Sequence, residues 1–107
     1  MEDYSIFKEI NEDADTLNRH VLIIKTLLHE QPLGIIKISQ QTGIPEHKIR
    51  YSLRILERDG IIEASREGAI LTSTFLDRRD EILKYGKDVI DKIESIYNDI
   101  KNILESK

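Results

Sequence analysis

Three glycines and a proline punctuate residues 35–72 so closely that few folds remain open to them. Ile35-Ile36-Lys37-Ile38-Ser39-Gln40-Gln41-Thr42 has the spacing of a short helix with Ile35 and Ile38 facing inward, and Gly43 follows it. Glycine enters the left-handed backbone region that ends helices at little cost. Pro45 suits the start of the next helix, where its missing N–H would be unpaired in any case. That helix runs to about Asp59 and stops at Gly60. Ile61-Ile62-Glu63-Ala64-Ser65 and Ala69-Ile70-Leu71-Thr72 are two apolar-rich runs joined by Arg66-Glu67-Gly68. That junction predicts a three-residue hairpin loop with Gly68 in the left-handed region.

On the N-terminal side, Tyr4, Ile6, Phe7 and Ile10 suffice for one short amphipathic element over residues 4–11. Glu12-Asp13-Ala14-Asp15 then suits a helix start, because carboxylates favour the positive end of the helix dipole. Leu17, Val21, Ile24 and Leu28 recur at helical spacing and predict one buried stripe. Gln31-Pro32 ends that helix, since the residue before proline avoids the helical region. Leu33-Gly34 could supply a very short strand. Beyond the hairpin, Thr74 and Asp77 form a capping-box pattern for a last helix from about Phe75 to the end. The fold class is mainly α with a small β-hairpin (α+β), in two parts, residues 1–73 and residues 74–107.

Composition narrows the functions. A chain of 107 residues is one domain's worth, and at 39% hydrophobic and 34% charged it can form a small core. Chains of this size often gain stability by oligomerising. With no cysteine, disulfides and thiolate metal sites are excluded, and His20, His29 and His47 match no zinc spacing. No metal and no cofactor is expected. Nothing approaches the ~20 apolar residues of a membrane-spanning helix. Met1-Glu2-Asp3-Tyr4 is acidic where a secretion signal would be basic, so a cytoplasmic protein with no membrane partner is expected. There is no Gly-rich phosphate loop and no nucleophile–base pattern, so an enzyme is not expected.

The net charge is −4, which counts against nucleic acid as a partner. Its distribution softens that objection. Residues 1–33 hold three Lys/Arg and seven Asp/Glu, residues 34–72 six and five, and residues 73–107 seven and eight. The acidity therefore sits mainly at the N-terminus. The middle segment permits local contact with DNA while predicting weak non-specific affinity.

On a helical wheel of residues 46–59, Ile49, Leu53 and Leu56 cluster on one side with Ser52 at the edge. His47, Arg50, Tyr51, Arg54 and Arg58 lie opposite. Like charges at i, i+4 destabilise a helix by ~0.2–0.5 kcal/mol per pair. A helix that only packs gains nothing from such a row, whereas arginine facing DNA can bond a guanine edge bidentately. The alternative is a solvated face on which Glu46 pairs with Arg50 and Glu57 with Arg54.

The order and spacing of Ile38-Ser39-Gln40-Gln41-Thr42-Gly43-Ile44-Pro45, then Leu53 to Ile62, then the hairpin, resemble winged helix-turn-helix transcription regulators, particularly small archaeal ones. The resemblance spans about Leu17 to Thr72. It implies a recognition helix at about 45–59 in the major groove of double-stranded DNA, whose N-terminal half reaches the bases. Glu46, His47, Arg50, Tyr51 and Arg54 are then the base-facing candidates. Glu46 could accept from cytosine N4 or simply favour the helix dipole. Tyr51 could touch a phosphate or a thymine methyl, or pack on the preceding helix. Gln41, Thr42, Lys48 and Arg58 are candidates for phosphate, which positions the protein without reading sequence. Arg66 is the only cation at the hairpin tip, and Glu67 offsets it, so the wing's contribution is expected to be modest.

The last helix has the pattern of a partner-seeking surface. Ile82, Val89, Ile96 and Ile103 hold one heptad position, and Gly86, Ile93 and Ile100 hold the other. Leu83, Ile90, Tyr97 and Leu104 widen the stripe. A core of roughly 60 residues has little surface to cover a helix ~45 Å long. Left in water, each large apolar side chain forgoes ~1.5–3 kcal/mol. A homodimer through this helix is the simplest remedy. The alternative folds the helix back on Leu17–Leu28 within one chain. For function as a whole, the second reading is a winged-helix protein–protein interaction module without DNA binding, since fold does not fix function. An architectural DNA-binding protein comes third, and would normally carry more positive charge.

Overall fold

The computed structural model describes residues 5–106, so Tyr4 and the acidic start of the chain lie outside the described residues. The elements are α1 (Lys8–His29), α2 (Ile35–Thr42), α3 (Glu46–Arg58), β1 (Ile62–Ser65), β2 (Gly68–Leu71), α4 (Ser73–Asp77) and α5 (Arg79–Glu105). The architecture is mainly helical with one small antiparallel hairpin and a long C-terminal helix. The chain divides into two compact units, one ending at Phe75 and one beginning at Leu76.

The first helix departs from the sequence expectation in two ways. It starts at Lys8 and runs unbroken through the acidic stretch, so no separate element covers residues 5–11. The start is made by Ser5, whose hydroxyl accepts the Phe7 N–H and whose carbonyl accepts the Lys8 N–H. Glu12, Asp13 and Asp15 are solvated side chains along the helix. The buried face is also turned by one residue. Ile23 and Leu27 are fully buried, with Thr16 and His20 half-buried in line with them. Of the expected stripe, Leu17 is 62% exposed, Val21 40% and Leu28 59%, and only Ile24 packs on the core. Residues 16, 20, 23 and 27 repeat with the same spacing as 17, 21, 24 and 28. Periodicity alone cannot choose between adjacent columns.

The core of the first unit gathers one or two residues from each element: Ile23 and Leu27 of α1, Leu33, Ile38 of α2, Ile49 and Leu56 of α3, Ile62 of β1 and Ala69 of β2. Each large side chain here contributes ~1.5–3 kcal/mol on leaving water. Gly43 closes α2 with φ 77° and donates its N–H to the Ser39 carbonyl, as the turn requires. Pro45 caps α3, and Gly60 follows its end at φ 76°.

The hairpin pairs Ile62 with Leu71, Glu63 with Ile70, Ala64 with Ala69 and Ser65 with Gly68. The loop is therefore the two residues Arg66 and Glu67, not the expected three. Gly68 belongs to β2, and its φ of 136° is not the left-handed turn geometry. Glycine is required there for two reasons: L side chains rarely adopt that φ, and a Cβ would press into the backbone carbonyl group of Leu33, 2.7 Å from the Gly34 nitrogen. Leu33 crosses at this point as a single antiparallel bridge to Ala69, with N···O distances of 3.2 and 2.8 Å. The short strand expected at Leu33-Gly34 is that one bridge, and the Gln31 side chain extends it by accepting the Leu71 N–H at 2.8 Å.

The C-terminal segment differs from expectation at its start. Thr74 does not cap a single long helix. Thr72 accepts the Phe75 N–H through its hydroxyl oxygen and gives its own proton to the Gly60 carbonyl. Helix α4 then runs five residues, and Arg78 separates it from α5. Within α5 the ion pairs Lys84–Asp88 and Lys87–Asp91 lie on polar faces at i, i+4. No residue of α5 is buried, and Leu83, Val89, Ile90, Tyr97, Ile103 and Leu104 are each more than half exposed. Among the described residues no helix is long and apolar enough to cross a membrane.

Candidate nucleic-acid interface

Helix α3 is held by Ile49, Ser52 and Leu56, which are buried, with Leu53 and Ile55 half-buried beside them. The opposite face carries Glu46, His47, Arg50, Tyr51, Arg54 and Arg58, all exposed. The wheel therefore separates the two faces as expected, and Ser52 moves from the edge into the core.

The arginines differ in their surroundings. Among the described residues neither Glu46–Arg50 nor Glu57–Arg54 makes a salt bridge, so those two guanidinium groups are unpaired by carboxylates. Arg50 and Arg54 line a groove of about 440 Å³ between α3 and the hairpin, with Leu53, Ile62, Ala64 and Ala69 as its apolar wall. Arg50 also borders a second recess of about 580 Å³ with Lys37, Glu46 and Glu67. Arg58 instead bonds Asp59 at 3.1 Å, an exposed pair. Its position at the end of α3 and its carboxylate neighbour set it apart from Arg50 and Arg54.

The remaining candidates divide by what already occupies them. The Thr42 hydroxyl donates to the Ile38 carbonyl at 2.7 Å and accepts the Ile44 N–H at 3.2 Å. Thr42 thus builds the turn between α2 and α3. Gln41 donates through Nε2 to Glu30 at 3.0 Å, tying α2 to the end of α1. His47 and Lys48 are exposed, and Lys48 borders a shallow recess with Asn18, Arg19 and Pro45. Arg66 and Glu67 form the hairpin tip together, both exposed.

Arg19 joins this surface although nothing in its sequence neighbourhood singles it out. Its Nε donates to the buried Ser52 hydroxyl at 2.8 Å, and its guanidinium carbon lies 5.8 Å from the centre of the Tyr51 ring. A cation over an aromatic face is attracted by the ring quadrupole. Arg19 thus positions Tyr51 from α1 and brings a further positive charge to this end of α3. A wheel of α1 centred on Ile23 and Leu27 turns it toward α3; a wheel centred on Leu17 and Val21 does not. Lys37 is inconspicuous for a similar reason, being an isolated cation on a short apolar helix.

Behind the interface, the Nδ1 atom of half-buried His20 is buried without a hydrogen-bond partner among the described residues. Burial, then the neighbouring Arg19 charge, hold its pKa below 6.5, against a weaker opposing pull from Asp59. His20 is accordingly a neutral packing residue near neutral pH. No protein-family model and no curated protein matches this chain.

Proposed function

We propose that the protein is a homodimeric, sequence-specific regulator of transcription that binds double-stranded DNA through a winged helix-turn-helix unit. The observation that carries the reading is the pair Arg50 and Arg54. Both are exposed, free of carboxylate partners among the described residues, and one turn apart on the face of α3 opposite its core residues. That placement fits arginine forks reading guanine edges in the major groove. His47, Tyr51 and Glu46 extend the same surface toward the N-terminal half of the helix, the part that reaches bases in helix-turn-helix proteins. Lys48 and Arg19 on one side and Lys37 on the other suit backbone phosphates. The exposed apolar columns of α5 support dimerisation, and a two-fold dimer would present two α3 helices to an inverted repeat with half-sites about 10 bp apart or a multiple.

The test is selection of genomic fragments by the purified protein at near-physiological salt, followed by sequencing. Enrichment of a short inverted repeat is the expected result. On the selected site, Arg54→Ala should weaken binding by ~1–3 kcal/mol and relax preference at one base pair. The net charge of −4 favours a second reading, a winged-helix module that docks another protein without binding DNA. Retention of no fragment, or of all fragments equally, would transfer the function to that class.

A further inference from the structure

Among the described residues Ser52 is the one buried polar side chain, and it is fully enclosed. A buried hydroxyl without a partner is costly. Its partner comes from 33 residues away, where Arg19 donates through Nε at 2.8 Å. Nε joins the guanidinium plane to its side chain, so this bond fixes the plane close to its root. The same plane stands over the Tyr51 ring, its central carbon 5.8 Å from the ring centre. Adjacent residues of α3 thus hold one arginine in two directions, Ser52 from the core and Tyr51, 46% exposed, from the surface.

Nothing draws Arg19 elsewhere. Asp15 lies one turn earlier on α1 and borders the same recess, yet Arg19 makes no salt bridge among the described residues. Arg19 is half-buried, whereas Lys48 on the rim of that recess is exposed. A tyrosine on an exposed helix face otherwise turns about two torsions, and arresting such a side chain on binding costs affinity. A ring held beforehand by a cation over its face meets its target with that cost already met.

We infer that Arg19 is a specificity-determining positioning residue. From α1 it holds the Tyr51 ring in the orientation that α3 presents to one base pair, so preference there depends on a residue acting through another. The inference rests on the regulator reading and deepens it. It is separate from the charge that Arg19 brings toward phosphates, because phosphate contacts carry no sequence information directly.

The experiment selects a randomised duplex library with full-length protein at near-physiological salt. The base pair whose preference Tyr51→Ala relaxes is the one that Tyr51 reads. Arg19→Lys keeps the charge and loses the planar fork. Ser52→Ala keeps the arginine and removes its anchor; with no hydroxyl left to satisfy, it is the variant that stays folded should Arg19→Lys not, as checked by circular dichroism. Each is expected to lower discrimination at that same base pair by about three- to tenfold, leaving preference elsewhere unchanged. In a Tyr51→Ala background neither change should relax that base pair further.

Full preference at that base pair in either folded variant would overturn the inference. An equal loss of affinity on every sequence would also overturn it, making Arg19 a phosphate contact or a purely structural pin. If Tyr51→Ala relaxes no base pair while Arg54→Ala relaxes one, the inference falls and the regulator reading stands. If the unaltered protein selects no DNA, both fall.

Discussion

Gly68 and Gly43 are both glycines at positive φ, and they do different things. At Gly43 a Cβ would meet nothing within 4 Å, so the left-handed backbone alone asks for glycine. Gly43→Ala should cost about 1–2 kcal/mol. At Gly68 the backbone conformation and the Leu33–Gly34 crossing both exclude a Cβ. Gly68→Ala should cost more, about 3 kcal/mol or above, because backbone cannot step aside as a flexible side chain does. Urea unfolding of the two variants checks the order. His20 carries a pH prediction. Its folded pKa is lowered, so the unfolded chain takes up a proton first as pH falls through 6.5. Stability should therefore be full above that value and decline as pH drops toward the folded pKa. His20→Gln should flatten this slope between pH 7 and 5.5, measured by thermal melts across that window. The role of Gly43 is legible in the sequence because a helix stop is a local event. The role of Gly68 is not, because the atom it avoids lies 35 residues away.

Among the elements, α1 departs furthest from what its periodicity suggests, and the reason is physical. It carries two apolar columns side by side, and the longer one faces out of its own unit. Ile23→Ala and Leu27→Ala should each cost about 2–5 kcal/mol on unfolding, as large-to-small changes in a filled core do. Helix α4 shows a related point. Thr72, not Thr74, makes its cap, while also joining the base of the hairpin to Gly60. Thr72→Ala should cost about 1 kcal/mol, while Thr74→Ala should be near neutral. Equal costs in equilibrium unfolding would contradict the assignment. On α3, by contrast, the wheel sorts buried from exposed residues except at Ser52, which it leaves at the edge and which Arg19 draws into the core, because a single apolar column leaves no rival.

For the molecule as a whole, the proposed homodimer would make stability concentration-dependent. The unfolding midpoint should rise with protein concentration if folding and association are coupled. A midpoint that stays constant over a hundredfold range, at concentrations spanning the association constant, would place stability within single chains. The proposed DNA binding should also have a shallow salt dependence, because few cations face phosphate. A reader with about three such cations per copy gives a slope near −5 in log K against log salt. Lys48→Ala should make that slope shallower by about one for each phosphate it neutralises. Arg58→Ala should leave it nearly unchanged, since Arg58 is already engaged with Asp59.

Local chemistry decided much of this protein. Gly43, Pro45 and Gly60 set the ends of α2 and α3 through backbone preferences that act within a few residues. Apolar periodicity gave α3 its inner face, and two apolar-rich runs joined by a short polar junction placed the hairpin. Tertiary structure decided whatever compares distant parts of the chain: which column of α1 is buried, why Gly68 must lack a side chain, and how Arg19 comes to rest on Tyr51 and Ser52. Periodicity specifies that a helix has a face, but burial depends on what the rest of the chain brings to it.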